Sequence, residues 1–152
     1  MPPWKTPEII AHTTLLLDSY EQLLGKCLLP RSGDEAQSLY LATFPVVSHG
    51  IEIDPIFNYG NQCALDLWQL TWEELTRTPS RATVAGDELG EEERERMLAK
   101  VRSQGYIDYY QGVRVTGKGQ RFRIDRAVVW NLTDRNGRYR GQAATFSHWE
   151  FL

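Results

Sequence analysis

The spacing of hydrophobic positions along this chain switches between a helical and a strand period, and the switches predict its elements. Ile9, Thr13, Leu16, Leu17, Tyr20, Leu23 and Leu24 recur at the intervals that line one face of a helix. Thr6-Pro7-Glu8 supplies the start, with a hydroxyl cap, a proline at the first helical position and an early acid, and Gly25 supplies the stop. A short helix follows from Asp34 toward Ala42. The stretches 45–50 and 55–59 are short, β-branched or aromatic, and bounded by Gly, Pro and Asp, as two strands joined by a turn are. Asn61 then caps a helix carrying Ala64, Leu65 and Trp68, and Thr71-Trp72-Glu73-Glu74 has the order of a capping box. From about Gly90 to Ser103 a charged helix places Met97, Leu98 and Val101 on one face.

Beyond Gly105 the period is that of strands. Phe122, Ile124, Val128, Trp130 and Leu132 fall on one face of a run whose other face carries Arg121, Arg123, Asp125 and Asn131, with Arg126 interrupting the apolar side. Thr116-Gly117-Lys118-Gly119 joins this strand to one over 107–115. Asp134-Arg135-Asn136-Gly137 joins it to a last strand over 139–151, Asn-Gly being a strong hairpin signal. The order of elements predicts an α+β fold with one antiparallel sheet.

The chain has 152 residues, the size of one ordinary domain, and 41% of them are hydrophobic, enough to bury a core without metal or disulfide staples. A net charge of −3 gives no global attraction to nucleic acid or to an anionic membrane. No apolar run approaches the roughly 18 residues of a spanning helix. These features, with no apolar leader at the N-terminus, predict a cytoplasmic protein that binds neither nucleic acid nor membrane. Cys27 and Cys63 show no metal-ligand spacing and are read as reduced thiols. Five Trp, seven Tyr and five Phe are a large stock of flat surface that needs a core, a pocket or an interface.

A strand pair, a bracket of short helices, one longer helix and a three-stranded meander resemble the element order of a PAS domain. At residue level, His49-Gly50, Asp54-Pro55-Ile56-Phe57-Asn58-Tyr59-Gly60-Asn61, Ala64-Leu65, Leu67-Trp68, Val129-Trp130-Asn131-Leu132 and Gly141-Gln142-Ala143-Ala144 resemble the PAS-related MEKHLA domain family over nearly the whole chain. The resemblance implies a five-stranded antiparallel sheet with its first two strands in the middle and a helical bracket on one face. Residues 1–44 would form an N-terminal helical cap on the PAS-like part, 45–152, the two making one structural domain. It also implies a sensory or regulatory module with no established chemistry. The histidine that haem-binding PAS domains carry on the long helix is missing here. Cys63, on the first bracket helix, does not match the reactive cysteine of the flavin photosensors. No cofactor is therefore assigned.

Candidate chemistry is sparse. His12, His49 and His148 are the only histidines and none has a ligand partner at metal spacing, so no metal site is expected. His49 reads either as a core histidine bonded to a turn carboxylate or backbone, or as a donor to a ligand. Phe57, Tyr59, Trp68, Trp72, Tyr110, Trp130 and Trp149 are core residues of which a subset lines a pocket, with His49, Asn58, Arg123, Asn131 and Gln142 as its polar groups. Arg123 and Asn131 share one strand face on this reading. The function expected is a PAS-like module that binds a small ligand or a protein partner and forms a homodimer through the apolar stripe of its first helix. The alternative is an enzyme of the cone-shaped, ketosteroid isomerase-like type, with acid/base residues in an apolar pocket.

Overall fold

The computed structural model of the chain describes residues 2–85 and 91–152. A turn of 3-10 helix, Pro3–Lys5, leads into α1 (Pro7–Leu24). The hydroxyl of Thr6 accepts the Ile9 N–H at 3.3 Å, and Gly25 ends the helix at a φ of 73°, the left-handed region that glycine enters without steric cost. Helix α2 (Glu35–Tyr40) is shorter than the stretch to Ala42, and Asp34 makes no side-chain cap bond. The Glu35 carboxylate receives the Gly33 N–H instead.

Strands β1 (Val46–His49) and β2 (Phe57–Gly60) pair antiparallel. Next come α3 (Gln62–Trp68), α4 (Trp72–Leu75), a 3-10 turn at Ser80–Thr83 and α5 (Glu91–Gln104). Gly90, where the hydrophobic pattern starts the last helix, lies outside the described residues. The capping box at Thr71 and Glu74 is complete, each residue bonding the other's backbone N–H. The chain ends in β3 (Tyr106–Val115), β4 (Arg121–Thr133), β5 (Tyr139–Thr145) and β6 (His148–Phe151).

The strands form one antiparallel sheet in the order β2-β1-β5-β4-β3, with β6 added alongside β4. Two expectations need correction here. Only β1 is interior, held between β2 and β5, while β2 is an edge. The last strand is also not continuous over 139–151. It breaks at Phe146-Ser147, and β6 then pairs with residues 122–125 of β4.

That break is coupled to Arg126, whose φ of 52° inserts a left-handed residue into β4. An extra residue reverses which face each later side chain takes. Phe122, Ile124 and Ala127 therefore belong to the core beneath the bracket helices, whereas Trp130 and Leu132 belong to the core beneath α1. The single apolar face read from the sequence is two half-faces on opposite sides of the sheet. Arg123 and Asn131 are separated by the same device. Arg123 alternates with Phe122 and Ile124, and Asn131 alternates with Trp130.

Helix α1 covers the sheet face opposite the bracket. Leu16, Leu17 and Tyr20 pack on Val46, Tyr59, Trp130 and Leu132, and the Trp130 indole N–H donates to the Leu16 carbonyl at 3.2 Å. The apolar stripe that led to the expectation of a homodimer is thus covered by the chain's own sheet.

Asn61 ties the two layers together. It is fully buried, and its Oδ1 accepts the N–H groups of Val46 at 3.0 Å and Ala64 at 3.1 Å. Its Nδ2 donates to the carbonyls of Leu39 at 3.0 Å and Phe44 at 2.8 Å. One side chain caps α3, anchors the start of β1 and fixes the end of α2.

Candidate functional site

Between α5 and the bracket face of the sheet lies a cavity of about 180 Å³. Its walls are mostly apolar: Val47 and Phe57 from β1 and β2, Trp68 from α3, Met97 and Val101 from α5, and Ile124, Ala127 and Val129 from β4. The left-handed residue at Arg126 is what allows Ile124, Ala127 and Val129 to share this face. Polar groups enter at His49, Tyr110, Arg114 and Gln142.

Five of the residues singled out in the sequence therefore meet at one place: His49, Phe57, Trp68, Tyr110 and Gln142. His49 Nδ1 lies 3.0 Å from the Gly50 carbonyl, which can only accept, so Nδ1 carries a proton and donates to it. Asn131 stands one contact behind the cavity. Its Oδ1 receives Gln142 Nε2 at 3.2 Å, and its Nδ2 donates to the Val101 carbonyl of α5 at 3.3 Å.

The others lie elsewhere. Trp130 is under α1, and Arg123 and Trp149 are not among the lining residues. Trp149 is half-exposed on β6, edge-on to Phe146 at 5.9 Å. Trp68 and Trp72, close in sequence, are parted by Gln69, whose φ of 58° ends α3. Trp72 instead meets Tyr59 edge-on at 5.8 Å, and with Asn58 it borders an outer depression between the start of α1 and α4.

Tyr59 is fully buried, and its hydroxyl has no partner among the described residues. Burial drives its phenol far above the ordinary tyrosine range. Tyr59→Phe should raise the unfolding free energy by about 1 kcal/mol, because it removes a desolvated hydroxyl that makes no bond. A fall in the urea midpoint would show that the hydroxyl does have a stabilising partner.

Two further residues, Arg114 and His12, carry polar structure. Arg114 Nη2 donates to the Tyr110 hydroxyl at 2.9 Å, Nη1 donates to the Val113 carbonyl at 3.1 Å, and the guanidinium lies 5.5 Å from the Tyr110 ring centroid. His12 of α1 bonds Ser48 Oγ at 2.8 Å, and Ser48 donates to Asn58 Oδ1 at 2.6 Å. Since the serine proton is used, His12 Nε2–H is the donor. Desolvation, with a smaller push from Arg140, holds the His12 imidazole down at about 4.

A histidine kept neutral in the fold gives a definite pH dependence. Above about pH 6.5 it is neutral in both states and contributes no slope. Between about 6.5 and 4 the unfolded chain takes up the proton first, so stability falls by up to about 1.4 kcal/mol per pH unit, and the loss stops growing below about 4. Urea midpoints of wild type and His12→Gln at pH 7 and pH 5 should show the variant losing less on acidification.

Asp54, next to Pro55 in the turn between β1 and β2, is at the surface, paired with Arg81 at 2.9 Å. No Asp or Glu lines the cavity among the described residues. Cys63 donates to the Thr43 carbonyl, and burial followed by the Asp66 charge raises its thiol. No group of three or more His, Cys, Asp or Glu that could hold a metal ion occurs among the described residues, and no helix there is long and apolar enough to cross a membrane.

Comparison with known proteins agrees with this fold. The model of the MEKHLA domain family matches residues 10–151. The homeobox-leucine zipper protein HOX10 of Oryza sativa is 24% identical over 150 residues, which are 96% of this chain and 18% of that protein, so the chain spans under a fifth of its relative. The PAS domain of a Colwellia psychrerythraea protein superposes with a TM-score of 0.60 at 14% identity, covering 77% of this chain and 92% of the other. The LOV domain of a blue-light activated histidine kinase from Erythrobacter litoralis gives 0.55 at 13% identity, over 73% and 97%. The expected α+β, PAS-like architecture is the one found, and nothing in these likenesses favours the cone-shaped enzyme.

Proposed function

The chain belongs to the MEKHLA domain family, and from that premise we propose that it is a PAS-type sensory and regulatory module in which a small ligand occupies the cavity beneath α5. The observation that carries this reading is the apolar cavity itself, bounded by residues of β1, β2, α3, α5, β3, β4 and β5. Close-packed interiors leave few voids of this size, and a void lined by apolar groups with a few polar ones is the common form of a ligand site.

The ligand is small. Engineered apolar cavities of about 150 Å³ hold benzene, while drug-sized ligand sites run to roughly 300–1,000 Å³. A volume of about 180 Å³ suits one ring. The three fused rings and side chain of a flavin do not fit it, and neither of the two cysteines is among the lining residues.

Occupancy has a route to the surface. Met97 and Val101 are cavity walls on α5, and Val101 is also tied through its carbonyl to Asn131 and hence to Gln142. A ligand that presses on those walls shifts α5, whose polar outer side then presents a different surface to a protein partner.

Thermal denaturation with a panel of single-ring compounds tests the reading. At least one should raise the melting temperature of wild type, since a ligand of the native state stabilises it by mass action. Ala127→Leu, which places bulk in the cavity, should abolish that rise. A filled variant that is simply more stable, together with a wild type that responds to no ring, would make the void a packing defect.

A further inference from the structure

The chemistry of the cavity's donors goes one step beyond its size. Resting on the reading of the cavity as a ligand site, we propose that its ligand is a small aromatic monocarboxylate, with Arg114 as its counter-charge. Three observations converge on an acceptor with negative charge. First, Arg114 brings a permanent cation to a wall otherwise formed largely by Phe57, Trp68, Val101 and Ile124, and no carboxylate pairs with it among the described residues. A guanidinium facing an apolar space calls for an oxyanion, and its planar fork matches a carboxylate.

Second, Trp68, which lines the same cavity and is 1% exposed, has an indole N–H with no partner among the described residues. A buried donor of that kind is rare in a finished core, and a ligand oxygen would satisfy it. Third, the guanidinium is positioned rather than free. Its bonds to the Tyr110 hydroxyl and the Val113 carbonyl use two of its five N–H groups, leaving three for another acceptor. Gly112 makes room for that pairing, since a Cβ there would come within 2.7 Å of the Tyr110 hydroxyl and 2.9 Å of Arg114 Nη1. The volume limits the remainder of the ligand to about one ring, which the aromatic and aliphatic walls accept on its faces.

Benzoate and its neutral isostere benzamide separate charge recognition from ring recognition. Calorimetric titration of the wild-type protein should show benzoate binding at least about tenfold more tightly than benzamide. Arg114→Gln should remove that preference while leaving benzamide affinity within about twofold, and Trp68→Phe should weaken benzoate more than toluene. The wild-type comparison stands even where a variant does not fold. Equal affinity for benzoate and benzamide would overturn the carboxylate proposal and leave the cavity reading intact. Absence of binding by benzoate, benzamide and toluene alike would overturn both.

Discussion

Asn61→Ala should lower the unfolding free energy by about 4 kcal/mol or more, against the roughly 5–15 kcal/mol that holds an ordinary domain together. The size follows from where its four bonds go. The substitution strands the N–H groups of Val46 and Ala64 and the carbonyl of Phe44, while the Leu39 carbonyl keeps the Ala42 N–H, and a buried polar group without a partner costs about 1–3 kcal/mol. Loss of the α3 cap is contained in that figure, since the Ala64 N–H is the capped group. Asn61→Asp keeps both acceptor bonds but turns a carboxylate toward two carbonyl oxygens, so it should be nearly as harmful. Urea denaturation measures both. A loss below about 1.5 kcal/mol for the alanine variant would mean that water or a local shift replaces the bonds.

Gly141→Ala should cost about 3 kcal/mol or more, for two separate reasons. Its φ of 135° lies where a residue with a Cβ is strained. A Cβ there would also run into the His49 carbonyl oxygen, which is backbone of the neighbouring strand and cannot swing aside. Relief requires β5 to part from β1, and His49 and Gln142, both cavity residues, face each other across that pair. The variant should therefore lose any ring-induced rise in melting temperature as well as stability. Gly119→Ala is the contrast: its φ is 85°, but nothing lies within 4 Å of the added carbon, so only the backbone term applies, and the loss should be clearly smaller.

How much of this was legible in the sequence depended on whether the signal was local. The Thr6 cap, the Asn61 cap, the Thr71-Glu74 box and the Asn136-Gly137 turn are local chemistry, and each was readable because cap and turn residues act on backbone within a few positions. The split of β4 into two half-faces was not read, although its marker was in view. By alternation alone Arg126 interrupts one apolar face, whereas in the fold this long polar residue marks a change of face.

Arg114 escaped notice for a related reason. Simple alternation from Ile107 puts Tyr110 and Arg114 on the opposite face of β3, but the register against β4 shifts between Ile107 and Tyr110, and all three line the cavity. By residue spacing alone His12 is only a candidate metal ligand. Its place four residues before Leu16, on the flank of the buried stripe, is the feature that points to a packed polar contact. Of the site residues that fell together, His49, Phe57 and Gln142 came from the adjacent strands β1, β2 and β5, Tyr110 from β3 and Trp68 from α3. Trp130 and Tyr59 fell apart from them because they lie on the α1 side of the sheet.

Amide chemical-shift mapping of the isotopically labelled protein titrated with benzoate reports most directly on whether the space beneath α5 is a ligand site. Saturable shifts should centre on Val101, Ala127, Val129 and Ala144, with Asn131 following through its bonds to α5 and Gln142, and the region around Trp72 and Asn58 should stay still. Shifts confined to that outer depression, or no saturable shift at millimolar ligand while the protein remains folded, would contradict a ligand site beneath α5.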